Sequence, residues 1–178
     1  MKLYTRRGDD GWTDLHAGGR VPKSDPRMRC IGEVDETNAA IGFALVVCES
    51  GHIRRMLEQV QARLFELGAD LATADDSRPR RVQASHVNEM EKWIDQISGS
   101  LAPLKHFILP GGCELSARLH LARTVCRRAE RASVDLFANS SSTSIAVTYL
   151  NRLSDLLFVL ARLANQQAGI DDVPWHGE

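Results

Sequence analysis

The sequence predicts an all-α protein, a five-helix bundle that follows an irregular, glycine-rich N-terminal arm. Apolar residues recur every three or four positions in five stretches, which is the spacing of one face of an α-helix. Short connections between the stretches favour a single bundle. The 178 residues are enough for one domain with a substantial core. We divide the chain into an arm at residues 1–24, a bundle at 25–170 and a polar tail at 171–178 that we expect to be loose.

The arm is marked by four glycines: Gly8, Gly11, Gly18 and Gly19. Glycine lets backbone N–H groups approach a ligand closely, and residues 5–14 add hydroxyl and guanidinium donors. This combination suits a polyphosphate, although composition alone also fits a merely flexible arm. Residues 19–24 do not form a P-loop, because Pro22 stands where that motif requires glycine.

The first two helices have clear signals at their ends. Asp25 followed by Pro26 combines a capping side chain with proline at the first helical position. The apolar face of this helix continues to the Ser50–Gly51 pair, where we expect the helix to end. The second apolar face spans residues 53–71 and stops in the polar stretch 73–79.

The remaining helices follow in the second half of the chain. The third apolar face spans residues 87–97 and is closed by 98–100; residues 101–112, with two prolines and two glycines, form a loop. The fourth face spans 115–129 and is broken at 139–142. The fifth spans 146–164 and ends near glycine 169.

The fourth helix carries four arginines within nine residues: Arg123, Arg127, Arg128 and Arg131. Arg123, Arg127 and Glu130 share one face, and like charges one turn apart repel unless acids or phosphates lie opposite. A solvated basic stripe is the alternative. Asp35 on the first helix and Asn151 on the fifth are polar residues that could complete such a site. Phe107 in the loop either plugs the core or lines a large flat ligand.

Composition excludes several functional classes. The net charge of −1 argues against binding nucleic acid through overall charge. The longest apolar run, residues 39–48, is shorter than the roughly 20 residues that a membrane-spanning helix needs. The N-terminus resembles no targeting segment, so we expect a cytoplasmic protein. The four cysteines form no CxxC pair and the histidines show no zinc-site spacing, so we expect free thiols and no metal site built from side chains.

Six segments, in this order, resemble the PduO-type ATP:corrinoid adenosyltransferases. They are YTRRGDDG at 4–11, GRVPK at 19–23, GEVDE at 32–36, FILPGG at 107–112, ARTVCRRAER at 122–131 and YLNRLSD at 149–155. The arginine-rich helix and the LNRLSD segment are the specific ones. Arg7 is a departure, since the family often has a small or hydroxylated residue there, and Trp12 fills a variable place.

The resemblance implies a homotrimer with ATP in a cleft between neighbouring subunits. By position, the family's nucleotide contacts fall on Thr5, Arg6, Arg7, Gly8, Thr13, Asp14, Lys23, Arg127, Arg128, Glu130, Arg131 and Asn151. The family's inter-subunit acid–arginine pair falls on Asp35 and Arg123, which with Arg127 are the expected catalytic residues. The aromatic residue against the lower face of the corrin falls on Phe107.

The activity that the resemblance implies is transfer of the 5′-deoxyadenosyl group of ATP to the cobalt of cob(I)alamin, with release of triphosphate. ATP, cobalamin and Mg²⁺ held mainly by the ATP phosphates are then required. A corrinoid reductase and a cobalamin-dependent client enzyme are the expected partners, without nucleic acid or membrane. An escort module that binds ATP or adenosylcobalamin and delivers cofactor to a client is the alternative. A purely structural helical oligomer would leave the arginine cluster without a purpose.

Overall fold

The computed structural model describes residues 4–16, 19–73, 79–138 and 144–177. The predicted all-α bundle is confirmed. Its five helices are α1 (Pro26–Leu45), α2 (Gly51–Leu71), α3 (Ala84–Ser100), α4 (Glu114–Leu136) and α5 (Ile145–Gln167). Within the described residues no helix combines the length and the apolar character that crossing a membrane requires. The predicted break at 139–142 and most of the polar stretch 73–79 lie outside the described residues.

Helix boundaries follow capping chemistry more closely than the apolar pattern. The Asp25 carboxylate accepts a hydrogen bond from the backbone N–H of Arg27 at 2.8 Å, so the predicted start of α1 is confirmed. The predicted end of this helix was wrong, because α1 ends at Leu45 and Gly51 instead begins α2. The helix α3 also runs through residues 98–100, which were expected to close it.

The fifth helix is the centre of the bundle. It packs against α4 and α3, while α1 packs between α4 and α2. Four of its predicted core leucines are completely buried: Leu150, Leu153, Leu157 and Leu160. Burial of one such side chain contributes about 1.5–3 kcal/mol, so this row is a large part of the folding energy. It also fixes which face of α4 remains outside. All four cysteines are free thiols, as expected.

The arm contains a short hairpin that the sequence did not predict. Strand β1 (Trp12–Asp14) pairs antiparallel with β2 (Arg20–Pro22). The backbone N–H of Lys23 donates to the carbonyl of Gly11 at 2.8 Å, and Gly11 has a φ of 82°, which glycine adopts without strain. The arm is therefore a folded unit between its described ends and not an irregular coil.

The tail is paired with the loop between α3 and α4, so the expectation of a loose tail was wrong. The N–H of Leu109 donates to the carbonyl of Val173 at 2.9 Å, and the N–H of Trp175 donates to the carbonyl of Phe107 at 2.7 Å. An isolated antiparallel bridge joins Ile108 to Pro174 between them. Backbone pairing of this kind leaves no trace in the polarity of the side chains.

A buried carboxylate near the end of α2 binds the residues that lead into α3. Asp70, which is 5% exposed, accepts hydrogen bonds from the backbone N–H groups of Arg81 and Val82 and from the Arg81 guanidinium. We expect Asp70→Ala to lower the free energy of unfolding in urea by about 3 kcal/mol, because it leaves buried donors without an acceptor. Glu58→Ala removes an exposed ion pair with Arg54 and should cost under about 1 kcal/mol. Equal losses in the two variants would contradict this role.

Candidate functional site

The arginines of α4 divide into two groups by what their side chains contact. Arg123 is half-buried, and its Nε is buried without a hydrogen-bond partner among the described residues. Burial, and then the charge of Arg127, lower the pKa of Arg123. A guanidinium in this state lacks the acceptor that burial demands. It can bind a carboxylate or another anion supplied from outside the described chain.

Arg127 and Arg131 lie one turn apart and are exposed. The Arg131 guanidinium donates to the carbonyl of Arg127 at 3.2 Å, and neither arginine has an ion-pair partner in the described part of the chain. Two guanidinium groups on one helical turn repel each other in this state. A polyphosphate placed over this turn would remove the repulsion and accept several hydrogen bonds.

Arg128 points to the other side of the helix. It donates to the carboxylates of Glu33 and Glu36 on α1, and these hydrogen bonds raise its pKa. The pairs join α4 to α1 next to Asp35. The contact of Arg128 with a nucleotide stays a prediction, and in the free chain this side chain is already occupied by two acids.

Asn151 completes the polar surface around Arg127. Its side-chain amide donates to Glu130 at 2.8 Å, so α5 and α4 are joined three residues after Arg127. The neighbouring Arg152 turns away and bonds Glu91 of α3 at 2.8 Å. The LNRLSD segment therefore combines a predicted ligand residue with a link between helices.

Asp35 is exposed on α1, and no ion pair joins it to Arg123 within the described residues. The predicted acid–arginine pair is thus not made inside one chain. The Asp35 carboxylate and the Arg123 guanidinium are therefore both available to bind another group. A pair between neighbouring subunits stays a prediction.

The arm brings several of the predicted phosphate ligands together. A Cβ on Gly8 would lie 3.0 Å from the Nζ of Lys23, so the ammonium group lies directly against this glycine. The Thr5 hydroxyl accepts a hydrogen bond from the N–H of Arg7, and Arg6 adopts a left-handed φ of 61° between them. Thr13 lies in β1, paired with Val21.

Two ion pairs hold the arm hairpin in shape. The Arg7 guanidinium bonds Asp14 at 2.8 Å, and Arg20 bonds Asp10 at 2.9 Å and the carbonyl of Arg7 at 2.6 Å. Hydrogen bonds from the Trp12 N–H and from Arg20 lower the pKa of Asp10, although desolvation acts against them. Arg7, whose role the sequence left open, is therefore paired with Asp14, another predicted ligand residue. Both are exposed and can exchange this partner for a phosphate.

No hydrogen bond or ion pair joins the described residues of the arm to α4. Within the described residues, the two halves of the predicted triphosphate site are therefore not joined by a direct polar contact. The described residues also contain no cluster of three or more histidine, cysteine, aspartate or glutamate side chains that could hold a metal ion.

Phe107 is at the rim of an open cavity of about 630 Å³. Its side chain is 79% exposed, which excludes the alternative that it plugs the core. Trp175 from the tail lines the same cavity, and the rings of His106 and His176 lie 5.4 Å apart beside it. Sequence reasoning missed these three residues. A tryptophan between polar residues near the C-terminus was the available signal.

Comparisons with known proteins identify the family of this chain. A family model described as cobalamin adenosyltransferase matches residues 3–164. A corrinoid adenosyltransferase of Mycobacterium tuberculosis (strain ATCC 25618 / H37Rv) is 46% identical over 185 residues, which cover 98% of this chain and 92% of that protein. One from Mus musculus is 42% identical over 176 residues, covering 94% and 74%. The structure of a variant PduO-type ATP:corrinoid adenosyltransferase from Lactobacillus reuteri, complexed with cobalamin and ATP, superposes with a TM-score of 0.93 at 36% identity, covering 99% of this chain and 100% of that one.

His120 lies one turn before Arg123 on α4 and gives this region a pH-dependent stability. Its ring is buried, packs edge-on against Phe158, and has no hydrogen-bond partner for either nitrogen in the described structure. Burial, followed by the charge of Arg123, lowers its pKa, and Asp172 opposes this. The unfolded chain therefore takes up a proton that the folded chain resists, so stability is lost as the pH falls below about 6.5.

We expect the free energy of unfolding to fall less steeply in His120→Leu than in the wild type between about pH 6.5 and pH 5. Urea denaturation at a series of pH values measures this slope. His52→Leu, which changes an exposed histidine on α2, should leave the slope as in the wild type. Identical slopes for His120→Leu and the wild type would show that the His120 ring is not responsible.

Proposed function

The chain belongs to the cobalamin adenosyltransferase family, and we infer that it transfers the 5′-deoxyadenosyl group of ATP to the cobalt of cob(I)alamin. Triphosphate leaves and adenosylcobalamin forms. The observation that carries this function is the match of nearly the whole chain to corrinoid adenosyltransferases, including a structure that holds both substrates. Arg127 and Arg131, which are exposed on α4 and have no ion pair among the described residues, are the feature of this chain that the reaction uses.

The site lies between subunits of a homotrimer. Three features support this arrangement: the described residues of the arm make no polar contact with α4, Arg123 has a buried nitrogen without a partner among the described residues, and Asp35 is exposed. The surface also carries apolar side chains that a neighbouring subunit would cover, namely Phe43 on α1, Val46 directly after it and Leu121 on α4. In the trimer, the arm of one subunit approaches α4 of the next, and Asp35 pairs with Arg123.

The protein assists the displacement mainly by stabilising charge. The cobalt of cob(I)alamin attacks the ribose C5′ with its electron pair, and the C5′–O bond breaks so that its electrons pass to the triphosphate. Lys23, Arg127 and the backbone N–H groups of the arm hold this growing charge. No general base is needed, because the nucleophile has no proton to lose. Holding C5′ in line with the cobalt is then the other main contribution.

Mg²⁺ fits this site as a companion of the nucleotide. Because the described residues hold no cluster of metal ligands, the ATP phosphates and water would supply most of its coordination shell, which is usual for Mg²⁺. The ion would neutralise part of the triphosphate charge when bound. Lys23 and Arg127 would carry the remainder.

Phe107 excludes the lower axial ligand from the cobalt. Removing an axial ligand changes the reduction potential of a metal in a macrocycle, and reduction from cobalt(II) becomes easier without it. A reductase supplies the electron and a cobalamin-dependent enzyme receives the product. We place all three in the cytoplasm, where ATP is available.

The function is tested by mixing the protein with ATP, Mg²⁺ and chemically reduced cobalamin. Formation of the cobalt–carbon bond changes the corrinoid absorbance, and release of triphosphate should match it one to one. Binding of both substrates without either change would instead favour a carrier that delivers cofactor without making it.

Arg127→Ala should lower turnover by a factor of about 10² to 10³, since one group that stabilises transition-state charge is lost. The bundle should remain folded, because the Arg127 side chain is exposed and makes no ion pair within the described chain. Arg55→Ala, which changes an exposed arginine on α2, is the matched control and should keep full activity. Wild-type turnover in Arg127→Ala would remove this residue from the site.

Phe107→Ala should slow turnover that starts from cob(II)alamin and a reductase, while binding of ATP stays normal. The expected reason is that the lower ligand returns to the cobalt and makes its reduction harder. Turnover from chemically prepared cob(I)alamin should suffer less. If turnover from cob(II)alamin were unchanged, Phe107 would not be the residue that excludes the lower axial ligand.

A further inference from the structure

Asn165 is a buried amide in the last turn of α5, and it connects three segments of the chain. Its Oδ1 accepts a hydrogen bond from the backbone N–H of Cys113 at 3.0 Å. Its Nδ2 donates to the carbonyl of Gly111 and to Asp172 Oδ1, each at 3.1 Å. The side chain is 3% exposed, so these contacts are made away from solvent. One residue therefore joins α5 to the loop before α4 and to the C-terminal tail.

The loop backbone comes unusually close to this amide. Gly112 has a φ of 106°, and a Cβ at this position would lie 2.1 Å from the Oδ1 of Asn165. Only glycine permits both the backbone conformation and the approach. The FILPGG segment is thus shaped to receive the Asn165 side chain.

A buried ion pair extends the connection into the tail. The Arg162 guanidinium, one turn before Asn165, donates to Asp172 Oδ2 at 2.7 Å and to the carbonyl of Ala102 at 2.7 Å. Asp172 is therefore held through both oxygens, one by each residue of α5. Buried groups of this kind stabilise a fold only when their partners are all in place, so the network fixes one arrangement of loop and tail.

The part of the molecule that this network holds is an exposed aromatic surface. The tail pairs with the loop through the Trp175 N–H and the Phe107 carbonyl, and both aromatic side chains are more than half exposed. Exposed rings have no packing of their own to fix their positions. The backbone of Phe107 and Trp175 is fixed instead by the hydrogen bonds of the loop and the tail. These segments are joined to α5 through Asn165 and Asp172.

We propose that Asn165 is a positioning residue for the corrinoid substrate, which holds the Phe107 loop and the Trp175 tail in register with each other. The inference rests on the proposed role of Phe107. It assigns Asn165 to the corrinoid and not to ATP, because its side chain bonds the loop, the start of α4 and the tail, and none of these hydrogen bonds reaches the arm. Loss of the amide frees the loop and the tail from the end of α5 and from this register, so Phe107 no longer excludes the lower ligand.

Asn165→Ala tests this in the full-length protein. We expect turnover from cob(II)alamin to fall by about tenfold to hundredfold, as for a reacting group displaced by about 1 Å, and the KM for the corrinoid to rise. The KM for ATP should stay at the wild-type value. Electron paramagnetic resonance of cob(II)alamin mixed with protein and ATP should report nitrogen bound to cobalt in the variant and its absence in the wild type.

Gln166→Ala is the matched control. Gln166 follows directly on α5, and its side-chain amide donates to the carbonyl of Ser100 and takes no part in the hydrogen bonds of Asn165. It should match the wild type in both KM values and in the resonance spectrum. Asp172→Asn keeps the size of the side chain, weakens the same network from the tail and should reproduce the corrinoid-selective defect, which keeps the test decisive if Asn165→Ala fails to fold.

Two results would overturn the inference. One is a wild-type spectrum and a wild-type corrinoid KM in Asn165→Ala or, if that variant does not fold, in Asp172→Asn. The other is an equal loss for ATP and corrinoid, which would make Asn165 a general structural residue. Failure of the proposed function looks different, because the wild-type protein itself would then form no adenosylcobalamin.

Discussion

The packing of α4 against α5 is the constraint on which the candidate site depends. The helix α4 packs against α5 and α1, and its buried residues, among them Leu119, Ala122, Cys126 and Ala129, define the side that faces the core. Arg127 and Arg131 are consequently placed outside, and Arg123 is placed at the boundary. The Arg128 pairs with Glu33 and Glu36 hold the same orientation from the side of α1. The arginine side chains repel one another, but burial of the apolar core stabilises the fold by several kcal/mol more than this repulsion costs. The fold therefore holds these cationic groups together.

This arrangement leaves one chain electrostatically incomplete. Arg123 has a buried nitrogen without an acceptor, while Asp35 on α1 is exposed. The arm, in contrast, pairs two of its arginines with carboxylates, Arg7 with Asp14 and Arg20 with Asp10. These exposed pairs cost little to break, so the arm can be preorganised without ligand and still exchange carboxylates for phosphates. In the free chain, the arm half of the proposed site is thus already folded, while the α4 half still lacks the negative charge that its arginines would bind.

How much could be predicted from the sequence depended on the kind of contact. The spacing of leucines in α5 predicted both the helix and its buried face, since side-chain burial repeats with the helical period. The arginine cluster and Phe107 were identified because exposed charge and an aromatic residue in a glycine-rich loop are visible in the sequence. The arm hairpin and the pairing of the tail with the loop were missed, because both depend on backbone hydrogen bonds between distant residues. Asn165 was missed for a related reason, as a single amide continues the apolar face of its helix without a distinct pattern.

The central claim is that the arm of one subunit and α4 of its neighbour form one triphosphate site. Mixing two inactive proteins, Lys23→Ala and Arg127→Ala, after dissociation and reassembly tests it most directly. If the site is shared, random trimers contain wild-type pairs of arm and helix at about a quarter of their sites, and activity returns to about that level. If each subunit builds its own site, every site carries one of the two changes, and the reassembled mixture stays as inactive as its components.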